Sequence, residues 1–213
     1  MRSLSVALVA LALAGTAACK DPNANVASAT TSAATTPAAA ANASATERLA
    51  INRAASRVGF TGAKVTGSHE GSFPAFTGTI DLDPARVENS RIAVDIDTTS
   101  VTTDADRLTT HLKSPDFFDV ARFPRATFTS TAIAPGGPNG ATHTITGNLA
   151  LHGVTRSISF PATVAVTAAE VTATAEFVIN RREYGIVYAG MPDNLIRDDV
   201  AMHLNIRAPR ATR

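Results

Sequence analysis

The sequence predicts an all-β fold, an antiparallel barrel of about eight strands with a short helix over its opening. Polar and apolar residues alternate along most of the chain after residue 46, for example over residues 80–83 and 91–97. Such alternation is typical of antiparallel strands with one wet face, and closure into a barrel removes exposed edges. Helix-start signals interrupt the alternation only within residues 100–131. No βαβ alternation and no repeat of about 20–50 residues are visible.

Residues 100–131 contain the predicted helix. Thr103 followed by Asp106 resembles a capping box, and Leu108 and Leu112 lie one turn apart on the same face. A short amphipathic helix followed by a Phe-rich plug is expected to cover the mouth of the barrel. Four of the nine phenylalanines belong to this plug: Phe117, Phe118, Phe123 and Phe128.

The predicted inward face carries many small residues. Gly147, Ala162, Ala173 and Ala175 fall on apolar faces, and the chain has no Trp. A barrel of about eight strands is just wide enough to be filled by its own side chains or to hold one slim ligand. Small residues with Phe at intervals would leave a hydrophobic channel, whereas ordinary alternation of small and large side chains would give a closed core. The pattern leaves both possibilities open.

The charge balance argues against a nucleic-acid-binding protein. The formal net charge is +1, and seventeen basic and seventeen acidic residues remain once Arg2, Lys20 and Asp21 are set aside. A nucleic-acid-binding protein would normally show a basic excess or a basic stripe, and this sequence has no such excess.

The N-terminal region predicts export. Residues 1–19 resemble a bacterial lipoprotein signal peptide that ends at a lipidated Cys19, the only cysteine. Ordinary cleavage after Ala18, which would give a soluble periplasmic protein, is the alternative. Residues 20–46 are mostly Ala, Ser, Thr, Asn and Pro, and this composition predicts a disordered tether. The barrel domain is then expected over residues 47–213, in the periplasm and anchored to a membrane.

No pattern of catalytic or metal-binding residues is present. The histidines are His69, His111, His143, His152 and His203, and none pairs with another at a metal-ligand spacing. The sequence also lacks a nucleophile elbow, a glycine-rich phosphate loop and a zinc-binding helix motif. We therefore predict no catalytic residue, no metal and no cofactor, and the protein is not expected to be an enzyme.

Four residues are candidates for contacting a polar head group. Arg107 and His111 lie one turn apart on the predicted helix, and Arg181 and Tyr184 interrupt an apolar strand just before a loop. At a barrel mouth these side chains could bind a head group while the channel takes the tail. Alternatively, they cap helix and strand ends or form ion pairs with nearby carboxylates.

Short motifs follow one another in order from about Ser56 to Ile206. Arg107 and His111-Leu112 accompany KVTGSHEGSF at 64–73, FTG at 76–78, DID at 95–97, SPDFFD at 114–119, FP at 123–124, TFTST at 127–131, GNLALHGVTR at 147–156 and NRREYG at 180–185. This ordered set resembles the YceI-like family and covers nearly the whole predicted domain.

The resemblance implies an extended, lipocalin-like antiparallel barrel with a helix over its opening. It also implies periplasmic residence and binding of long amphiphiles, above all polyisoprenoids, in the apolar tunnel. The chain departs from many members at residues 49–55, where an aromatic-rich first strand is replaced by a segment without aromatic residues. This departure bears on the identity of the ligand more than on the fold.

We therefore predict a periplasmic protein that holds a polyisoprenoid, an isoprenoid quinone or a fatty-acyl compound by burial of its tail. The alternatives are a barrel-based enzyme with His111 or His69 as general base, and a sealed structural or interaction domain. The expected partners are the lipid itself and the membrane reached through the anchor. The residues predicted to contact the ligand are Arg107, His111, Phe117, Phe118, Phe123, Phe128, Phe160, Phe177, Arg181 and Tyr184.

Overall fold

The computed structural model describes residues 25–36, 47–192 and 194–211. Over these residues it contains fourteen strands and one α-helix, α1 (Asp106–Lys113). Short 3₁₀ turns lie at Arg53–Ala55, Val87–Asn89, Thr98–Ser100, Pro138–Gly140 and Arg181–Tyr184. The strands are β1 (Thr30–Ala33), β2 (Glu47–Ala50), β3 (Arg57–Lys64), β4 (Gly67–Ser72), β5 (Phe76–Leu82), β6 (Arg91–Asp97), β7 (Thr102–Thr103), β8 (Arg125–Pro135), β9 (His143–Leu151), β10 (Val154–Val166), β11 (Glu170–Asn180), β12 (Gly190–Met191), β13 (Asn194–Leu195) and β14 (Asp199–Pro209).

Twelve of these strands form one sheet that curls into a barrel. The path runs β2–β5–β6–β8–β9–β10–β11–β14–β3–β4–β7, with β1 attached to β10, while β12 and β13 form a separate hairpin. The curl brings β2 back to β14, because the N–H of Asn52 donates to the carbonyl oxygen of Arg207 (2.8 Å) and Arg210 pairs with Glu47 (2.9 Å). The all-β, barrel-like fold with a single helix is therefore confirmed, with more strands than the periodicity predicts.

Alternation along the long strands gives the barrel its apolar interior. In β10, Ile158 and Phe160 are buried whereas Ser159 between them is only half-buried. Phe160 stacks on Phe177 of β11, with ring centroids 4.1 Å apart. Gly147 of β9 makes room for a further ring, since a Cβ there would overlap with the side chain of Phe128.

The helix α1 covers the end of the barrel opposite to β2. Its Leu108 and Leu112 face the interior, as their spacing predicts. The predicted capping box is wrong, because the N-cap residue is Ala105, which has no capping side chain. The Thr103 hydroxyl instead donates to the carbonyl oxygen of Ala105 (2.9 Å) and accepts from the Thr109 hydroxyl (2.9 Å). These bonds tie the turn before α1 to the helix itself.

The prediction of a disordered tether over residues 20–46 is wrong for residues 25–36. β1 pairs antiparallel with β10, from Thr30 opposite Ser159 to Ala33 opposite Arg156. On its other side, the N–H of Ala29 donates to the carbonyl oxygen of Val178 in β11 (2.8 Å). β10 and β11 pair directly only over four residues near their shared turn. β1 therefore fills the gap where these two strands diverge. Backbone hydrogen bonds to β10 and β11 order this segment, although its composition does not predict a strand.

The predicted signal peptide, its Cys19 and the remainder of the tether lie outside the described residues. Within the described part of the chain, no helix is long and apolar enough to cross a membrane. α1 has only eight residues and is amphipathic.

The pairing of β1 with β10 can be tested by a disulfide. In a Cys19→Ser background, Ser32→Cys combined with Ser157→Cys places two thiols directly opposite each other in the observed register. Opposed residues in an antiparallel pair have Cα atoms about 4.5–5.5 Å apart, which suits a disulfide. We expect rapid and complete oxidation, measured as loss of free thiol and a mobility shift that reductant reverses.

The matched control combines Ser32→Cys with Ser159→Cys, which stand two positions out of register. Diagonal neighbours of this kind lie about 7–8 Å apart, beyond disulfide reach. Equal oxidation of the two double variants, or oxidation of neither, would show that β1 does not occupy this gap.

Candidate ligand-binding site

An apolar cavity of about 450 Å³ lies beneath α1. Its volume falls within the range of about 300–1,000 Å³ that is usual for small-molecule pockets. The exposed side chains of Arg107 and Met191 belong to its wall, so the cavity reaches the protein surface at a mouth beside α1. The apolar wall comprises Val58, Phe60, Phe73, Leu108, Leu112, Phe117, Phe118, Ile186, Tyr188, Met191, Ile196, Val200 and Met202.

A smaller cavity of about 120 Å³ lies deeper in the barrel. Its wall includes three of the predicted ligand-contacting residues, Phe128, Phe160 and Phe177. Val58, Ile96, Leu149 and Met202 line both cavities, so the two spaces are separated by a few aliphatic side chains. The barrel interior therefore contains two apolar cavities that share part of their walls.

Phe117 and Phe118 take part both in packing and in the cavity wall. Phe118 lies edge-on against Phe73, with ring centroids 5.4 Å apart. Phe117 contacts the ring of His111 at 4.9 Å and that of Tyr188 at 5.4 Å. Four of the residues predicted from the sequence thus come together at the mouth, because α1 and the turn after it place them over the same opening. They are Arg107, His111, Phe117 and Phe118.

Apart from the phenol of Tyr188, the ionisable side chains around this cavity are all basic. Among the described residues that line it there is no Asp or Glu, and there is no Ser, Thr or Cys either. Lys64 and Arg107 have no carboxylate partner within the described part of the chain. The full basic set is Lys64, His69, Arg107, His111, Arg181 and Arg197.

Two His–Asp pairs hold the helix over the mouth. His69 Nδ1 lies 2.9 Å from Asp104 Oδ1, which joins β4 to the turn before α1. His111 Nε2 lies 2.9 Å from Asp116 Oδ2, which joins α1 to the turn after it. Both carboxylates are about half exposed at the surface, and no Ser, Thr or Cys side chain of the described residues lines the cavity beside them. The geometry suits positioning of α1.

Arg181 does not present its charge to the cavity, although it lies in the wall. The side chain is only 5% exposed. Its Nε donates to the carbonyl oxygen of Arg197 (3.0 Å), Nη1 to that of Ile186 (2.8 Å), and Nη2 to Asp198 Oδ1 (2.9 Å). Burial lowers the pKa of Arg181, and the charge of Asp198 opposes that effect. The predicted role of Arg181 at a head group is therefore corrected, because its donors are already used to hold the 186–198 segment.

Phe123 and Tyr184 line neither cavity, so their predicted ligand contact is also corrected. Phe123 packs against the ring of His152 (4.7 Å) and against Gly153 in the β9–β10 turn. Tyr184 is fully buried in the core beside Phe160 and Phe177, and its hydroxyl has no hydrogen-bond partner among the described residues. Burial raises its pKa, so the phenol stays protonated.

Sequence reasoning missed Lys64, Tyr188, Met191 and Ile196 as wall residues. Lys64 ends a strand that is otherwise apolar on its inner face, and this lone charge was the available signal. The other three belong to residues 186–196, which have no periodicity beyond the two-residue strands β12 and β13. Within the described residues, no group of three or more His, Cys, Asp and Glu side chains could hold a metal ion.

Replacement of Arg181 tests its structural role. Arg181→Met should lower the free energy of unfolding by about 3 kcal/mol, because it leaves buried carbonyl groups and Asp198 without their donor. The neighbouring Arg182 is 54% exposed and pairs with Asp198 at 3.5 Å, so Arg182→Met should change that energy by less than about 1 kcal/mol. Urea unfolding of both variants provides the measurement, and equal losses would contradict the assignment.

Comparison with known proteins gives a family and several relatives. A family model described as YceI-like domain matches residues 49–208. The UPF0312 proteins of Pseudomonas fluorescens (strain SBW25) and Pseudomonas putida (strain W619) are 42% and 41% identical to this chain over 93 residues. These alignments cover 44% of this chain and 47% of each relative, so the match spans about half the length of these curated relatives.

Solved structures share the fold. BcnA from Burkholderia cenocepacia superimposes with a TM-score of 0.67 at 25% identity, covering 74% of this chain and 99% of that one. A polyisoprenoid-binding domain from Saccharophagus degradans gives 0.60 at 19% identity, with 76% and 98% covered. The YceI protein of Campylobacter jejuni gives 0.59 at 24% identity, with 66% and 84% covered. The last two likenesses concern the fold alone.

The resemblance inferred from the ordered motifs is confirmed by these matches. The family model covers residues 49–208, a range that contains β3 to β13, the helix α1 and nearly all of β14. The cavity, its mouth and the basic side chains around it all lie within that range, and this chain belongs to the YceI-like domain family.

Proposed function

We propose that this protein binds a long-chain amphiphilic lipid with an acidic head group. The observation that carries this proposal is the separation of polarity at the cavity beneath α1. Both cavities are apolar inside, whereas the basic side chains of Lys64, His69, Arg107 and His111 lie in the wall toward the mouth. A hydrocarbon tail fits the first environment and a phosphate or carboxylate fits the second.

Burial of the tail provides most of the affinity. Each CH₂ group that leaves water contributes about 0.8 kcal/mol, so a tail that fills even the larger cavity binds firmly without any covalent chemistry. Lys64 and Arg107 lack carboxylate partners in the described chain and are available to an anionic head group. A polyprenyl phosphate or a fatty acid would use both cations, whereas a neutral isoprenoid quinone would gain nothing from them.

The relatives support the same class of ligand. One neighbour in fold is named as a polyisoprenoid-binding domain. The location that we propose is the periplasm, at a membrane to which a lipidated Cys19 anchors the chain. The support for this location is the signal-like sequence of residues 1–19.

An enzyme remains the second candidate, because His69 and His111 each lie beside a carboxylate and line the cavity. A histidine general base of this kind would change the bound lipid chemically. Mass spectrometry of the lipid recovered after incubation distinguishes the two functions, since a binding protein returns the ligand with its mass unchanged. Turnover that is lost in His69→Gln or His111→Gln would instead favour the enzyme.

Filling part of the larger cavity should weaken tail binding. Gly62 lines this cavity, and a Cβ placed on it meets no atom within 4 Å. Gly62→Phe should therefore occupy space that the tail needs without disturbing the fold. Displacing about three CH₂ groups weakens binding of a fluorescent long-chain fatty acid roughly 50-fold.

The matched control is Gly67→Phe. Gly67 is exposed, does not line the cavity, and a Cβ on it also meets no atom within 4 Å. This variant should bind the fatty acid as the unmodified chain does. Undiminished binding by Gly62→Phe, with its fold intact by circular dichroism, would rule out the cavity as the tail site.

Removing the two unpartnered cations should reduce the preference for an acidic head group. Native mass spectrometry with a polyprenyl phosphate and the polyprenol of the same chain length measures this preference directly. Lys64→Gln with Arg107→Gln should weaken binding of the phosphate by about 1 kcal/mol, roughly fivefold, and leave the alcohol unaffected. Equal losses for both lipids would mean that these residues serve the fold and not the head group.

A further inference from the structure

The exposed large hydrophobic side chains of the described chain are gathered at one end of the barrel. They are four in number: Val65 (52% exposed), Val187 (57%), Met191 (63%) and Leu195 (49%). Exposed apolar residues normally lie scattered over a soluble protein, whereas a cluster marks an interaction site.

Each of these side chains lies at the mouth of the cavity beneath α1. The N–H of Val65 donates to the carbonyl oxygen of Leu195 (3.1 Å), which brings the β3–β4 turn onto the β12–β13 hairpin. Met191 belongs to the cavity wall, and Val187 stands between the wall residues Ile186 and Tyr188. We call these four side chains, together with Lys64 and Arg107, the mouth surface.

The charge of the mouth surface complements an acidic partner. Lys64 directly precedes Val65, and Arg107 lies on the exposed side of the opening. Two carboxylates next to the opening, Asp104 and Asp116, are each hydrogen bonded to a histidine. Asp106, in the first turn of α1, is an acidic residue beside Arg107 that has no such partner.

We propose that the mouth surface docks on an anionic lipid bilayer, from which the ligand enters the cavity. Exposed apolar side chains flanked by Lys and Arg suit an interfacial membrane contact, since the former enter the acyl boundary and the latter meet acidic head groups. This inference rests on the proposed lipid ligand, whose tail would pass from bilayer to cavity without crossing water.

The size and shape of the patch favour a bilayer over a protein partner. A stable protein interface buries about 1,200–2,000 Å² in total, which is more than four side chains supply. These side chains also lie beside the cavity opening, where Met191 belongs to the wall. A membrane contact needs neither a large area nor a fixed partner shape.

Site-specific labelling tests the docking. In the full chain with Cys19→Ser, an environment-sensitive fluorophore is attached at Leu195→Cys or, as a control, at Ala168→Cys. Ala168 is exposed in the β10–β11 turn, at the opposite end of the barrel. With vesicles of phosphatidylcholine and phosphatidylglycerol that carry lipid-bound quenchers, quenching is expected at position 195 only. It should be lost with phosphatidylcholine alone and in Lys64→Gln/Arg107→Gln, but not in Arg53→Gln/Arg86→Gln at the far end.

Lipid uptake provides the second measurement. Val65, Val187 and Leu195 do not line the cavity, so the triple change of these residues to Asn should leave binding of a polyprenyl phosphate from cyclodextrin unaltered. Extraction of the same lipid from anionic vesicles should slow at least tenfold, roughly the effect of losing 1.4 kcal/mol of contact. The control changes Ala85, Ala165 and Ala168, exposed at the far end, to Asn and should extract at the normal rate.

The two proposals fail in different ways. No binding from cyclodextrin by any variant would overturn the proposed lipid ligand. Normal binding from cyclodextrin together with equal quenching at residues 168 and 195, or an unchanged extraction rate in the triple variant, would overturn the docking alone. Dimerisation through the patch, seen as a mass that doubles with concentration and is lost in the triple variant, would also overturn it.

Discussion

The structure of the barrel mouth depends on the hydrogen bonds that the buried guanidinium of Arg181 donates to neighbouring protein groups. A charge that leaves water is tolerated only when nearly every donor finds an acceptor. Arg181 meets that condition with the carbonyl groups of Ile186, Ile196 and Arg197 and with Asp198. Residues 186–198 contain little regular hydrogen bonding of their own, so their path is the one that wraps these carbonyls around the arginine. Six residues of the cavity wall and three of the four exposed large hydrophobic side chains belong to this segment.

A second constraint is that the interior must stay open. Protein cores are close-packed, and a void forfeits the dispersion contacts that would otherwise line it. Here the aromatic rings are arranged beside the empty space and against one another, as Phe60, Phe73 and Phe118 show. The rings bury a large apolar area along the edge of the cavity, which offsets part of the packing that the cavity removes. A lipid tail would supply the missing contacts.

The sequence predicts those parts of the molecule that local periodicity determines. Strands of seven or more residues alternate visibly, and the interior spacing of Leu108 and Leu112 marks α1 without knowledge of the barrel. The roles of Arg181 and Tyr184 could not be predicted in this way. An arginine at a strand end looks the same in sequence whether it meets a ligand or carbonyl groups from fifteen residues further along the chain. Tyr184 belongs to the NRREYG motif, but the 3₁₀ turn Arg181–Tyr184 directs its side chain into the core, which the motif alone does not predict.

The strand β1 could not be predicted from the sequence for a related reason. Its Thr, Ser and Ala side chains carry no apolar alternation, and its order comes from backbone groups of β10 and β11 that lie far away in sequence. Very short strands such as β7 and β12 share this property, since two residues cannot show a period. Motif order across the whole domain succeeded where periodicity failed, because it samples the fold at many separated points.

The pairing of β1 with β10 also limits how far the barrel could move from the membrane anchor that we propose at Cys19. A free linker from Cys19 to Glu47 could extend over roughly 90 Å, whereas the six residues from Cys19 to Asn25 reach about 20 Å at most. Asn25 and Glu176 line the same pocket on the side of the barrel, and the five residues from Glu176 along β11 to Arg181 span about 17 Å toward the mouth. An anchored chain would thus have just enough reach for its mouth to touch the same bilayer, and only when the linker is almost fully extended. Orientation at the membrane would follow from linker length.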